Sequence, residues 1–236
     1  MHRTATRLAR ILACAAVPVM LVAGCSSDSD KKDSSESSKS PASSAPALKP
    51  AKFNKLPDAC AALAEKTVKD LVPKVKDAKG DAAKSSDTSA RGGCSWNGLD
   101  GFQYRWLDVS LQRFDSDPAL GTGDTRAKDY YGKQIAAAKA SKDAKNIKDS
   151  NADGTGDEAT AVTYDLKKDG EEYKNQTVVT RTANIVVTLN YNGAGFEDAK
   201  APDSGDMMKD TQKAAKEAVA SVADANKKKS DADKKK

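Results

Sequence analysis

Behind Arg3, Arg7 and Arg10, and ahead of any acidic residue, the chain carries an apolar run from Ile11 to Ala23. A basic stretch followed by such a run is the pattern of an export signal. The run is about 13 residues long, short of the roughly 20 that a membrane-crossing helix needs. Residues 1–24 therefore read as a signal peptide that is removed, and the fold must be built from the chain beyond residue 24, in an oxidising compartment. No Arg-Arg pair occurs in the segment, which points to the general secretory route.

The signal ends in Leu21-Val22-Ala23-Gly24-Cys25. Small residues directly before a Cys resemble the bacterial lipobox. The resemblance implies that Cys25 becomes the mature N-terminus and carries diacylglycerol, with palmitate as an expected acyl chain. Acyl chains add about 0.8 kcal/mol per buried CH2, and two of them hold a protein stably at a membrane. The expected location is the extracytoplasmic face of the cell membrane, lipid-anchored.

Removal of the signal changes the residue inventory. Lys plus Arg falls from 39 to 36 against 34 acidic residues, a net charge of +2 in place of +5. A near-neutral chain is a poor nucleic-acid binder. His2 is the only histidine and leaves with the signal, which excludes Ser-His-Asp and Cys-His catalysis and His-ligated zinc. Cys14 leaves as well and Cys25 takes lipid, so Cys60 and Cys94 remain as an even pair and are expected to form a disulfide. No Cys-x-x-Cys occurs to suggest redox work.

Residues 25–51 are the lipidated Cys and a Ser-, Lys- and Asp-rich tether with Pro41, Pro46 and Pro50, too poor in apolar residues to offset the entropy of folding. The folded domain is expected over 52–226, with a basic frayed tail over 227–236. Asp58 is placed to cap a helix starting near Ala59, with Cys60, Leu63, Val68 and Leu71 at helical spacing and Pro73 ending it. Residues 74–91 read as a polar, mobile loop. Cys94-Ser95-Trp96 reads as a short strand. From Gln103 to Phe114 the chain alternates, with Leu107, Val109 and Leu111 on one face and Tyr104, Trp106 and Asp108 on the other. Asp124 caps a second helix bearing Ala127, Tyr131, Ile135 and Ala138. Strands are expected at 159–166, 177–182 and 184–191, the last two joined by a turn at Ala183-Asn184 with positive φ expected at Asn184. A final helix over 206–223 presents Met208, Thr211, Ala215, Ala218 and Val222. This order predicts an α+β fold, a single antiparallel sheet with helices packed against it.

Pro57-Asp58-Ala59-Cys60, Gly93-Cys94-Ser95-Trp96 and Gly154-Thr155-Gly156-Asp157-Glu158-Ala159 resemble the Asp-Pro-Cys, Cys-x-Trp and Gly-x-Gly-Asp-x-Ala motifs of small actinobacterial secreted lipoproteins of unknown function. The resemblance covers residues 53–225 and implies a PsbP-like α/β sandwich. It implies no catalytic residue and no substrate.

Several segments carry partial site patterns. Asp149-x-Asn151-x-Asp153-Gly154 with Asp157 fits part of an EF-hand loop, but its twelfth position is Thr160, not a bidentate Glu, so a polar turn is expected. Gly121-Thr122-Gly123 lacks the Lys of a phosphate loop and reads as a helix cap. Asp157-Glu158 and Glu171-Glu172 are neighbours along the chain, whereas a hydrolase needs carboxylates from different segments facing one cleft. Tyr104 and Trp106 form a ligand or partner patch if their sheet face is open, and core if a helix covers it, with Trp96 and Phe102 joining either. No catalytic residue, metal or cofactor is predicted. The expected function is non-enzymatic: a membrane-anchored module binding an unknown protein or small molecule. A structural spacer and, further off, a carboxylate-based cell-envelope enzyme are the alternatives.

Overall fold

The computed structural model describes residues 48–227. The signal peptide, Cys25, the tether up to residue 47 and the tail from 228 lie outside the described residues. No helix among the described residues is long and apolar enough to cross a membrane.

Seven strands form one sheet, and every neighbouring pair is antiparallel. They are β1 (Asp81–Ala82), β2 (Arg91–Asp100), β3 (Gln103–Arg113), β4 (Lys145–Asn151), β5 (Glu158–Lys168), β6 (Glu171–Thr182) and β7 (Ile185–Gly195), in the spatial order β1-β2-β3-β7-β6-β5-β4. Among the described residues three α-helices accompany them: α1 (Glu65–Leu71), α2 (Gly123–Lys139) and α3 (Ser204–Ala225). The architecture is α+β, with a single antiparallel sheet and helices against it.

One face of the sheet is closed. Trp96, Leu107, Val109, Leu111, Val178, Ile185, Val187 and Leu189 pack there with Val68 and Leu71 of α1 and with Met207, Ala214, Ala215, Ala218 and Val222 of α3. The small residues of α3 let a helix of 22 residues lie close to the strands. Gly98 serves the same end for the segment after α1, since a Cβ there would sit 2.4 Å from the Pro73 carbonyl oxygen. On the other face α2 covers Val179 and Val186 with Ala127, Tyr131 and Ile135, a smaller cluster.

Several local expectations are corrected. The first helix is broken: Asp58 caps only a 3-10 turn, Ala59–Ala61, through its bond from the Cys60 N–H at 2.8 Å, and α1 starts later. The 74–91 segment contains β1, and Ala78 O accepts from Trp96 Nε1 at 3.2 Å, so part of it is stitched to the sheet. The strand at Cys94 runs for 10 residues. Thr122, not Asp124, caps α2. Strand β4 is an addition to the expected elements, because its exposed sequence Lys-Asn-Ile-Lys-Asp-Ser-Asn lacks an apolar face. In the 183–184 turn the positive φ, 49°, falls on Ala183. Asn184 instead has a buried side chain that donates to Phe53 O and Phe114 O and accepts from the Phe53 N–H, bringing the incoming chain to the end of β3. Met207 rather than Met208 is the fully buried methionine of α3.

Cys60 and Cys94 form a disulfide, with Cα atoms 5.0 Å apart. It links the 3-10 turn to the middle of β2.

Candidate functional site

The register aligns side chains of the partly covered face into rows across five strands. Leu99, Tyr104, Ala194, Tyr173 and Leu166 make the first row. Asn97, Trp106, Asn192, Asn175 and Tyr164 make the second, and Ser95, Asp108, Asn190, Thr177 and Val162 the third. Helix α2 lies beyond them, over Val179 and Val186. The first two rows are left as a ledge, where Tyr104, Trp106, Tyr173 and Phe196 line a groove of about 430 Å³ together with Leu166, Lys168, Asn175 and Asn192.

The aromatic rings hold one another. Phe196 stacks on Tyr104 at 5.8 Å between centroids, and Tyr173 meets both edge-on at 6.5 and 6.3 Å. Burial pushes the phenols of Tyr104 and Tyr173 up, so both stay neutral near pH 7. Offset and edge-on pairs of this kind are favoured by the ring quadrupole.

Trp106 is held from the side by a chain of hydrogen bonds along the third row. Thr177 Oγ1 donates to Asn190 Oδ1 at 2.8 Å, Asn190 Nδ2 donates to Asp108 Oδ1 at 3.1 Å, and Trp106 Nε1 donates to Asp108 Oδ2 at 3.3 Å. Burial raises the Asp108 carboxyl above its ordinary range, and the bonds from Asn190 and Trp106 act against that rise. Such a network orients the indole more firmly than packing alone would.

A second groove, of about 510 Å³, adjoins the ledge on the β2 side. Asp81 of β1 and Asp108 of β3 both line it, with Ser95 between them in register.

The remaining sequence candidates are absorbed by structure. Trp96 is core, 1% exposed, whereas Phe102 stands at the β2–β3 turn, 54% exposed. Asp149 pairs with Lys139 at 2.8 Å, while Asp157 accepts from the Ala183 N–H at 2.6 Å and faces Arg181. Glu158 pairs with Arg181 and Glu172 with Lys174. No metal-holding cluster occurs among the described residues. In the Gly121-Thr122-Gly123 segment the glycine amides are already bonded within the chain, Gly121 N–H to Asp117 O and Gly123 N–H to Ser116 Oγ, and Thr122 Oγ1 accepts from the Thr125 N–H.

Tyr104 and Trp106 are thus brought together on the open part of the sheet, half-buried. Sequence reasoning misses Tyr173, Phe196, Asn175, Asn192 and the role of Asp108. One signal for Tyr173 and Asn175 is present: Asp169-Gly170, with φ of 54° and 91°, is a two-residue hairpin turn. Such a turn starts β6 at Glu171 and sets Tyr173, Asn175 and Thr177 on one face. No family model, curated protein or solved structure matches this chain.

Proposed function

We propose that this chain is a lipid-anchored extracytoplasmic binding protein, held through Cys25 at the outer side of the cell membrane, whose domain offers the Trp106 ledge to a ligand. The carrying observation is the groove of about 430 Å³ on a sheet face that α2 leaves uncovered. Rigid aromatic side chains give large contact area at low entropic cost, and an indole already oriented by Asp108 needs no ordering on binding.

The test is thermal unfolding of the full chain against a panel of metals, sugars, lipids and envelope fragments. A binder raises the transition by linkage, and Trp106→Ala should remove the rise. A panel with no effect on the wild type, or an equal effect on the variant, would rule out this site.

A second role, hydrolysis of cell-envelope material, is favoured by Asp81 and Asp108 lining one groove from separate strands. Two strand spacings separate their backbones by about 10 Å, against the roughly 6.5–9.5 Å between carboxyl groups in inverting glycosidases. Each Asp108 oxygen already accepts one bond, from Asn190 and from Trp106, so a substrate would have to share them. Product release from envelope glycans that disappears in Asp108→Asn would make hydrolysis the function.

A further inference from the structure

We infer that the ledge takes an uncharged carbohydrate, a short run of pyranose rings lying across β3, β7 and β6; this rests on the binding role proposed above. A pyranose has two chemistries, a patch of C–H groups on its ring face and hydroxyls around its rim. The ledge has both complements in adjacent rows. Tyr104 and Tyr173 supply ring faces and edges, Trp106 carries the aromatic surface into the next row, and Asn192 and Asn175 stand beside it. Rows on one face are two residues apart, about 7 Å along the strand, so one ring-sized ligand touches both.

Planar amides suit hydroxyls because each offers donors and an acceptor. Asn175 directs its Nδ2 to Tyr173 O at 3.1 Å, and among the described residues Asn192 has no side-chain hydrogen bond. An acyl chain on this floor would strip water from the Asn192 amide and return nothing, a costly exchange. Charge narrows the occupant further. Among the described residues Lys168 is the one fully charged side chain lining the groove, and no carboxylate lines it, Asp108 standing beside Trp106. The site therefore lacks the cations a polyphosphate needs and the free carboxylate an amine needs, and an uncharged polyol complements it.

Tryptophan fluorescence of the full chain reads this directly, since Trp96 is sealed in the core and Trp106 faces the groove. The probes are tetramers of N-acetylglucosamine, glucose, mannose and galactose, with decanoate as an acyl control. The expected result is a saturable emission change with at least one tetramer, absent in Trp106→Phe and shifted to about tenfold higher concentration in Asn192→Ala. If Asn192→Ala melts early, Asn192→Gln gives the second measurement, with weakened binding at an unchanged melting temperature. A response to decanoate alone would overturn the carbohydrate assignment and leave the binding site standing. No response to any probe, with acrylamide quenching of Trp106 unchanged throughout, would overturn both.

Discussion

Removing the Cys60–Cys94 bond is the perturbation whose size the structure determines most directly. The two residues are 34 apart in sequence, and opening a loop of that size relaxes the unfolded chain by about 4 kcal/mol in the chain-entropy model. Cys94 is 2% exposed and packs against Gly80 and Trp96, so Cys60→Ala with Cys94→Ala also leaves a small void, adding about 1 kcal/mol. For a domain of this size each kcal/mol moves the melting temperature by about 2–4 °C, so the double variant should melt about 10–20 °C lower. The assay is circular dichroism of the full chain, with and without a phosphine reductant, paired with a thiol titration. Reductant should lower the wild type and leave the variant unmoved. Hydrogen exchange should quicken first around the 3-10 turn, which the bond joins to β2, while β6 and β7 stay protected. A fall of less than about 3 °C, or free thiols at Cys60 and Cys94 in the oxidised protein, would refute the reasoning.

Asn184→Ala strands Phe53 N–H, Phe53 O and Phe114 O in a buried turn and should cost about 2–4 kcal/mol, read as a lower urea midpoint with faster exchange at Phe53. Asp108 has its folded pKa raised from 3.8, chiefly by burial. The stability this carboxyl contributes is therefore complete below that value and lost as pH rises through the folded pKa. The urea midpoint of the wild type should fall relative to Asp108→Asn as pH rises above 3.8, and a difference that grows in the wild type's favour would contradict the assigned burial. Cys25→Ser should abolish labelling by an alkyne-bearing palmitate and release the chain from the membrane fraction; label retained in that variant would place the acyl group elsewhere.

The parts of the fold that are legible in the sequence are those where one face is buried and the other is not. Leu107, Val109 and Leu111 alternate in β3 because only one side meets α1 and the 3-10 turn, and the last helix shows its stripe of Thr211, Ala215, Ala218 and Val222 because one side of it meets β6 and β7. Strand β4 is illegible because an edge strand exposed along its whole length has no alternation to reveal it. The break between the 3-10 turn and α1 is hidden because Cys60 and Leu63 fit helical spacing, while the disulfide and the core draw them in without a continuous helix. Of the candidate site, Tyr104 and Trp106 are visible as a pair. Tyr173, Asn175 and Asn192 join them only because β7 pairs with β3, a pairing of strands far apart in sequence that no local pattern specifies.

Whether the face bearing Trp106 is core or surface depends on α2, and the residues beneath it carry the answer. Where α2 sits, the strands present Val179 and Val186. Beyond its reach the same strands present Asn175, Thr177, Asn190 and Asn192. A face meant for closure by another helix would carry apolar residues at these positions, since each buried amide then needs a protein partner. Thr177 and Asn190 have such partners, and their bonds end at Asp108 and the Trp106 indole. The polar groups in the row beside the ledge are thus spent on orienting one aromatic side chain, and those on it, Asn192 foremost, face the groove. A spacer would need only solubility, which charged side chains supply without a buried hydrogen-bond chain. The placement of Asp108, Asn190 and Thr177 beside Trp106 is accounted for by a surface built to hold one shape, and that favours recognition over spacing.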